Sequence, residues 1–302
     1  MEPNIERPLI LRPSHELTLR QTAPARVLNE MVASSLVLAR EVAPAAVDLD
    51  ALVREGKRVQ RGEGRTPENI QAFKLFYQAA TAGHSEAQYI VSNFYIWERG
   101  VDRDPVQSLR WLRMAAESGF AEAQNGLGGY YEFGCFGVPQ DYVEAVKWFR
   151  ETAERGDALG QWSLGHCYQK GHGVPQDLEQ AAAWYRKAAT QGHSSGQTFL
   201  GNCYRFGWGV PQDYAEAITW LRKAAEQGNF LAQWSLGSCY RNGHGVEIDL
   251  PLAYACFKLA ADNGHETADD SALELEDSMD SSEMATAYEL YEELNEDWFS
   301  NR

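Results

Sequence analysis

Histidine and cysteine are the residues of this sequence whose types could carry enzyme chemistry, with seven histidines and five cysteines among 302 residues. Histidine could hold a metal ion or transfer protons, and a cysteine thiolate could act as a nucleophile. Both chemistries require partners at defined spacings. The metal-binding and nucleotide-binding patterns His-Glu-x-x-His, Cys-x-x-Cys and Gly-x-x-x-x-Gly-Lys-Ser/Thr do not occur. The sequence therefore predicts no catalytic residues, no metal and no cofactor.

The spacing of these residues favours structural roles. Three cysteines recur every 36 residues, each directly before a tyrosine, and a catalytic residue has no reason to be copied in register. We interpret them as small buried thiols. The three are Cys167, Cys203 and Cys239. Five histidines also occupy repeated turn positions, namely His84, His193 and His265 after a glycine and His172 and His244 within a loop.

The composition excludes several classes of protein. With 44% hydrophobic residues the chain can bury a sizeable core. A net charge of −16, from 43 acidic and 27 basic residues, argues against a nucleic-acid partner. No run of 18 apolar residues occurs, and the N-terminus lacks the basic and apolar regions of a secretion signal. The sequence predicts a cytoplasmic protein that does not insert into a membrane.

A glycine that ends an alanine-rich helical segment recurs through most of the chain. Its spacings are 36, 37, 36, 36 and 36 residues, and an extra residue in the loop at 134–137 accounts for the single 37. A fixed period in this range is typical of a repeat protein whose units bury their apolar faces by stacking. The glycines are Gly83, Gly119, Gly156, Gly192, Gly228 and Gly264.

Each repeat is predicted to form two helices. In the first, a small residue, a leucine and a tyrosine follow one another at i, i+4 and i+8, which places them on one buried face, as in Ala123, Leu127 and Tyr131. A loop with glycine and proline separates the helices. An aspartate then begins the second helix, and a glutamine or glutamate three residues later gives the spacing of a reciprocal capping box in most repeats. The aspartates are Asp104, Asp141, Asp177, Asp213 and Asp249.

Tryptophans recur at one position of the second helix, three residues after an alanine. We interpret them as side chains that fill the space between repeats, rather than as an aromatic box for a ligand. Small residues nearby would let neighbouring helices approach closely. The tryptophans are Trp148, Trp184 and Trp220.

The whole repeat reads small-x-x-x-Leu-Gly-x-x-Tyr-x-x-Gly-x-Gly-Val-x-x-Asp-x-x-x-Ala-x-x-Trp-x-x-x-Ala-Ala-x-x-Gly. It closely resembles the Sel1-like repeat, a relative of the tetratricopeptide repeat, over residues 47–265. Five copies are clear and the first is degenerate. The resemblance implies an all-α fold, a right-handed α-solenoid of stacked helix-turn-helix repeats, and an adaptor function. Cysteine-rich relatives pair two cysteines within each repeat, whereas the Ala-Ala pair of this chain carries none.

The segments outside the repeats are predicted to cover the ends of the stack. Residues 1–46 comprise an arm and an amphipathic capping helix at 24–42, and residues 266–302 form an acidic C-terminal capping segment. Residues 262–302 hold 14 acidic side chains and one basic one, so most of the net charge lies there. This segment is either a solvated cap or a docking surface for a basic partner.

Side chains on the first helices that do not face the core are candidates for binding a partner. At i+2, i+6 and i+9 they vary between repeats and include the aromatic, amide and arginine types that anchor protein interfaces. Alternatively, the tryptophans among them pack between neighbouring repeats. The predicted groove residues are Tyr89, Asn93, Asn125, Glu132, Trp162, His166, Gln169, Asn202, Arg205, Trp234 and Arg241.

Three functions follow as hypotheses. The leading one is a non-catalytic protein–protein interaction module, an adaptor or scaffold that holds a protein or peptide partner in the groove of the solenoid. An alternative is an acidic inhibitor, such as an antitoxin-like or immunity protein, that occludes a basic effector, and its support is the negative charge. The third is a hydrolase on a repeat scaffold, for which cysteine-rich members of the resembling class are the precedent.

Overall fold

The computed structural model describes residues 48–60 and 64–299. The predicted arm and the predicted helix at 24–42 lie outside these residues. Within them the chain forms fourteen α-helices and no strand, which confirms the all-α class. The chain divides into two compact units, Met1–Gln140 and Asp141–Arg302, and each is described by itself.

The part of unit 1 that the structure describes contains five helices. They are α1 (Leu49–Val59), α2 (Pro67–Thr81), α3 (Ser85–Ile96), α4 (Pro105–Glu117) and α5 (Ala121–Phe133). Unit 2 contains nine helices in its described part. They are α6 (Tyr142–Glu154), α7 (Ala158–Lys170), α8 (Leu178–Thr190), α9 (Ser194–Phe206), α10 (Tyr214–Ala225), α11 (Phe230–Asn242), α12 (Leu250–Asp262), α13 (Ala268–Glu276) and α14 (Ser281–Phe299). Consecutive helices pack against one another from α1 to α5 in unit 1 and from α6 to α13 in unit 2, and α14 returns to pack on α12.

The aspartate caps form as predicted, but the reciprocal half of the capping box does not. The Asp213 carboxylate accepts a hydrogen bond from the Glu216 backbone N–H at 3.1 Å. The Asp213 N–H donates to the Tyr204 carbonyl oxygen at 2.9 Å, so it is satisfied without the Glu216 side chain. The same backbone bond joins Asp177 to Tyr168. Each of these caps therefore also ties the second helix to the end of the first.

The predicted core positions of the first helices are buried where they are apolar. Leu164 and Leu200 are fully buried, and so is the thiol of Cys203, whose pKa burial raises to about 12. A thiol of this kind stays protonated and unreactive at neutral pH, as its periodic position predicted. The i+8 tyrosines extend further outwards. The hydroxyl of the half-buried Tyr204 accepts a hydrogen bond from Arg186 Nη2 at 2.7 Å.

The tryptophans of the second helices are less buried than their predicted role between repeats implies. Trp184 is half-buried, and Lys187 Nζ lies 3.6 Å from the centroid of its ring. Trp220 is also half-buried and donates a hydrogen bond to Glu216, while Trp148 is half-buried as well. The following residue is the one that reaches the core, since Tyr185 is fully buried. The reason is one step of about 100° around the helix, which turns the position after the tryptophan inwards.

A ladder of buried amides links successive repeats of unit 2. Gln197 Nε2, on a first helix, donates to the Ala189 carbonyl oxygen at the end of the preceding second helix, at 3.3 Å. Gln197 Oε1 in turn accepts a hydrogen bond from Gln227 Nε2 at 2.8 Å. The donation satisfies a carbonyl that the helix end leaves without a partner. Equivalent pairs place Gln161 between Ala153 and Gln191, and Gln233 between Ala225 and Asn263.

The C-terminal helices α13 and α14 cover the apolar end of α12. Ala272 and Leu275 of α13, Met279 of the turn and Ala287 of α14 are buried in the same core cluster as Phe257 of α12. Acidic side chains of these helices lie on the outside, and those of Asp269, Asp270, Glu274, Glu289, Glu292 and Glu293 are exposed. Burial of apolar side chains and exposure of carboxylates are thus combined on the same two helices.

We expect a histidine cap to make unit 2 sensitive to acid. Nδ1 of His193 accepts a hydrogen bond from the Gly196 N–H at 3.1 Å, which requires an unprotonated nitrogen. Burial lowers the pKa of His193, partly offset by the Asp157 carboxylate. The unfolded chain therefore binds more protons than the folded one at acidic pH. The contribution of His193 to the free energy of unfolding is fully present above the ordinary pKa of histidine and is lost as the pH drops below it. The sensitive window starts at about pH 6.5 and extends downwards.

A variant that keeps the cap and removes the titration is provided by the next repeat, where Asn229 Oδ1 accepts from the Ala232 N–H. We expect His193→Asn to match the wild type within about 0.5 kcal/mol at pH 7.5 and to lose less unfolding free energy than the wild type at pH 5. Urea titrations followed by circular dichroism at the two pH values measure this. Equal losses in both proteins would show that His193 does not titrate between these pH values.

Candidate functional site

The predicted groove residues of unit 1 lie on helices α3 and α5. Tyr89 and Asn93 of α3 are half-buried, and the Tyr89 ring packs against Phe120 with centroids 5.4 Å apart. Asn125 and Glu132 of α5 are each only 6% exposed. Binding of a partner by these four residues stays a prediction, and only the α3 pair presents appreciable area to solvent.

In unit 2 the groove positions fall on α7, α9 and α11, and we call this set of side chains the first-helix surface. It consists of Trp162, His166, Gln169, Asn202, Arg205, Trp234, Ser238 and Arg241. Helix α9 contacts both α7 and α11, so the three helices form a continuous surface.

Trp162 packs between repeats, as the alternative interpretation of the tryptophans proposed. It is 7% exposed. Its ring lies 6.1 Å from Phe199 of the next first helix and 6.0 Å from His166 on its own helix, measured between centroids. His166 is half-buried and therefore reaches the surface beside a tryptophan that does not.

Two groove residues at the end of the surface contact the C-terminal segment. Nε1 of Trp234 donates to Ser271 Oγ at 3.4 Å, and its ring stacks on His265 with centroids 5.3 Å apart. Arg241 Nη1 forms an ion pair with Glu274 Oε2 at 3.3 Å. Helix α13 therefore covers part of the surface that the sequence assigned to a partner.

The remaining groove residues differ in how their polar atoms are satisfied. Gln169 is buried, and its Oε1 accepts a hydrogen bond from the Tyr185 hydroxyl at 2.7 Å. Asn202 is half-buried, and no hydrogen bond from the described residues reaches its buried Oδ1. The Gln169 side chain is thus paired within the fold, whereas the Oδ1 atom of Asn202 has no partner among the described residues.

Arg205 is a nearly buried cation without an ion pair. Arg205 is only 7% exposed, and its Nε atom has no hydrogen-bond partner among the described residues. The guanidinium carbon lies 4.8 Å from the centroid of the Phe206 ring. Burial lowers the pKa of Arg205, and the charge of Arg241 acts in the same direction. No described carboxylate lies within ion-pair distance of it.

The partner of Arg241 is a contact that our sequence analysis missed. Glu274 lies 36 residues after Ser238, so the two occupy equivalent positions of successive repeats. The 36-residue spacing of the repeats, extended into the acidic segment, is the signal that predicts the contact between Arg241 and Glu274. The acidic composition of that segment does not indicate register.

One short string also matches a hydrolase motif by residue type. Residues 192–196 read Gly-His-Ser-Ser-Gly, which fits Gly-x-Ser-x-Gly. The motif supplies a nucleophile only where a strand turns sharply into a helix. Here the string follows helix α8, and Ser194 is the first residue of α9. His193 caps that helix, so the residues of the string serve a helix start.

The sequence profile of the Sel1 repeat matches six consecutive segments, at 51–84, 85–120, 121–157, 158–193, 194–229 and 231–265. Together these segments cover more than half of the chain. The chain belongs to the Sel1 repeat family. The predicted family and the predicted α-solenoid class are confirmed, and Sel1 repeat proteins generally mediate protein–protein interactions.

Solved structures of other Sel1 repeat proteins are similar to this chain. A Sel1 repeat protein from Oxalobacter formigenes has a TM-score of 0.67 and 30% identity, covering 76% of this chain and 87% of its own. Protein c5321, a protective antigen of uropathogenic Escherichia coli displaying an SLR fold, has a TM-score of 0.54 and 27% identity over 90% of this chain and 64% of its own. This chain thus spans just under two thirds of c5321.

The immunity protein Pa5087 from Pseudomonas aeruginosa has a TM-score of 0.45 and 18% identity, over 87% of each chain. A likeness of this size carries no functional argument. Comparison with curated proteins gave no match.

In the part of the Sel1 repeat chain that the structure describes, no helix has the length and apolarity needed to cross a bilayer, and no group of three or more His, Cys, Asp or Glu side chains is placed to hold a metal ion.

Proposed function

We propose that this chain is a non-catalytic interaction module, an adaptor or scaffold, that binds a protein or peptide partner on the first-helix surface of unit 2. The observation that carries the proposal is the set of incompletely satisfied polar side chains on α9 and α11, beside aromatic rings. Asn202 Oδ1, Arg205 Nε and Ser238 Oγ are buried and have no hydrogen-bond partner among the described residues. Such groups are costly to leave unpaired, and a partner that pairs them gains specificity.

The proposal places the interaction in the cytoplasm. All five cysteines are free thiols, which suits a reducing compartment. It involves neither nucleic acid nor membrane insertion, because the net charge is −16 and the described helices are amphipathic segments of a stack.

A site-specific crosslinking experiment tests the location of the interface. A photoreactive amino acid replaces half-buried His166, and in a second protein it replaces exposed Gln180 on the second helix α8. We expect crosslinks to the partner from position 166 and not from 180.

Matched alanine variants test the energetics with the partner so identified. We expect His166→Ala combined with Asn202→Ala to weaken binding about tenfold or more, as the loss of interface anchors does. The control pair, Glu179→Ala with Gln180→Ala on α8, should change affinity less than about twofold. Crosslinks confined to position 180, or equal affinities for both double variants, would contradict the proposed interface.

A second candidate function is an acidic inhibitor that occludes a basic effector, and the observation that favours it is the row of exposed carboxylates on α13 and α14. Exposed charges attract a partner over roughly a Debye length, about 10 Å at 0.1 M salt and 3 Å at 1 M. Binding of this kind should fall steeply as salt rises to 0.5 M and should persist in the variant with His166 and Asn202 changed to alanine. Affinity that is insensitive to salt would contradict the inhibitor function.

A further inference from the structure

Two arginines at equivalent positions of successive repeats in unit 2 differ in their ion pairing. Arg205 on α9 and Arg241 on α11 are 36 residues apart and occupy the same position of successive first helices. Arg241 pairs with Glu274, which lies 33 residues after it on α13, the helix that follows α12. The residue 33 positions after Arg205 is Ser238, on α11. Serine is shorter than glutamate and carries no charge. Ser238 therefore cannot neutralise Arg205 as Glu274 neutralises Arg241.

The surroundings of Arg205 are suited to an anion. The residue is 7% exposed, and no described carboxylate pairs with its guanidinium. Ser238 is 2% exposed, and its Oγ has no hydrogen-bond partner among the described residues. Asn202, one helical turn before Arg205, is half-buried and brings an amide to the same face. The guanidinium of Arg205, the Nδ2–H groups of Asn202 and the hydroxyl of Ser238 are donors that a carboxylate can accept.

We propose that Arg205, Asn202 and Ser238 form a binding site for a carboxylate of the protein or peptide partner, placed where Glu274 stands against Arg241. The site deepens the proposed function and rests on it. The carboxylate is either an Asp or Glu side chain of the partner or its C-terminus. The carboxylate of the partner would form with Arg205 the kind of ion pair that Glu274 forms with Arg241 one repeat later.

An isolated buried cation destabilises a fold, and its replacement by an apolar side chain of similar length removes that penalty. We therefore expect Arg205→Met to have a melting temperature equal to or above that of the wild type. If Arg205 served only to stabilise the fold, Arg205→Met would lower the melting temperature. A lower melting temperature would mean that Arg205 has a stabilising partner and would overturn the proposal.

The binding test uses twelve-residue peptides selected from a random displayed library on the full chain, with affinities measured by fluorescence anisotropy. We expect selected peptides to carry a carboxylate whose neutralisation weakens binding about 10- to 100-fold. Asp→Asn or Glu→Gln changes reveal a side-chain carboxylate, and amidation of the peptide reveals a C-terminal one. Arg205→Met should weaken binding by a similar factor.

The two losses should not add, because neutralising the peptide should have no further effect on Arg205→Met. The matched control is Arg222→Met, which removes an exposed arginine that hydrogen-bonds to Tyr240, and it should leave affinity within about twofold. Ser238→Glu should block binding by pairing internally with Arg205, as Glu274 pairs with Arg241. If Ser238→Glu does not fold, the double-mutant cycle with Arg205→Met decides.

The outcomes separate this inference from the function on which it rests. Peptides that bind Arg205→Met as tightly as the wild type, or that need no carboxylate, would overturn the carboxylate site and leave the interaction module intact. A library that yields no binding peptide, with no crosslinks from position 166, would contradict both.

Discussion

Replacing Gly209 with alanine should destabilise unit 2 by about 2 to 5 kcal/mol, from about 1 to 2 kcal/mol for the left-handed backbone and about 1 to 3 kcal/mol for forced packing. Gly209 is the second glycine of the loop after α9 and has φ +67°. A Cβ placed on it would lie 2.0 Å from the Leu178 carbonyl oxygen at the start of α8. Backbone cannot swing aside as a side chain can. The loop would have to move away from the neighbouring repeat.

Gly192 is the matched control for the backbone conformation. It has φ +86°, and a Cβ built there meets no atom within 4 Å. Gly192→Ala should therefore cost only the conformational part, about 1 to 2 kcal/mol. Urea unfolding of the wild type and both variants, followed by circular dichroism, measures the difference. Equal midpoints for the two variants would show that the contact between Gly209 and Leu178 does not limit stability.

Removal of residues 266–302 should destabilise the end of unit 2 by about 5 kcal/mol or more. Loss of Leu275 and Met279 alone resembles two large-to-small core substitutions at about 2 to 5 kcal/mol each. The deletion also exposes Phe257, which is fully buried in the intact chain. Stacked repeats without a polar end lose solubility as well as stability. Hydrogen exchange should show lost protection in α11 and α12, because these helices lie nearest the exposed end.

A charge variant separates the capping role of this segment from its acidity. Glu289, Glu292 and Glu293 are exposed on α14, and their change to glutamine in the full chain removes three negative charges without touching the core. We expect its unfolding free energy to stay within about 0.5 kcal/mol of the wild type. A truncated chain that remains fully folded and loses only binding would identify the segment as a docking surface instead.

The sequence predicted the repeating features of the fold because each is local and copied. A glycine at a helix end or an aspartate at a helix start acts through its own turn, so Asp213 could be recognised without neighbours. The position of Trp184 could not be predicted as easily. A step of one residue turns a side chain by about 100°, and the periodicity alone does not show whether Trp184 or Tyr185 faces the next repeat.

The candidate site was less predictable than the fold for a related reason. First helices in a stack are covered on more than one side, so residues off the predicted core face, such as Trp162 and Arg205, are nevertheless buried. The pairing of Arg241 with Glu274 depends on the repeat register extending into a segment of different composition. Once the repeats are aligned at 36 residues, Ser238 stands out as the small residue at the position of a carboxylate.

The amide ladder of unit 2 gives each repeat two complementary ends. Gln197 offers an N–H to the repeat before it and receives one on its oxygen from Gln227 of its own repeat, and Gln233 does the same one period later with Asn263. A 36-residue unit with a donor at one end and an acceptor carbonyl at the other resembles a monomer that can be joined head to tail. Duplication or loss of a whole unit leaves every amide paired, and the extra loop residue at 134–137 leaves the donations of Gln124 and Gln161 in place. The ladder therefore accommodates a change in the number of repeats without redesign of the buried polar groups.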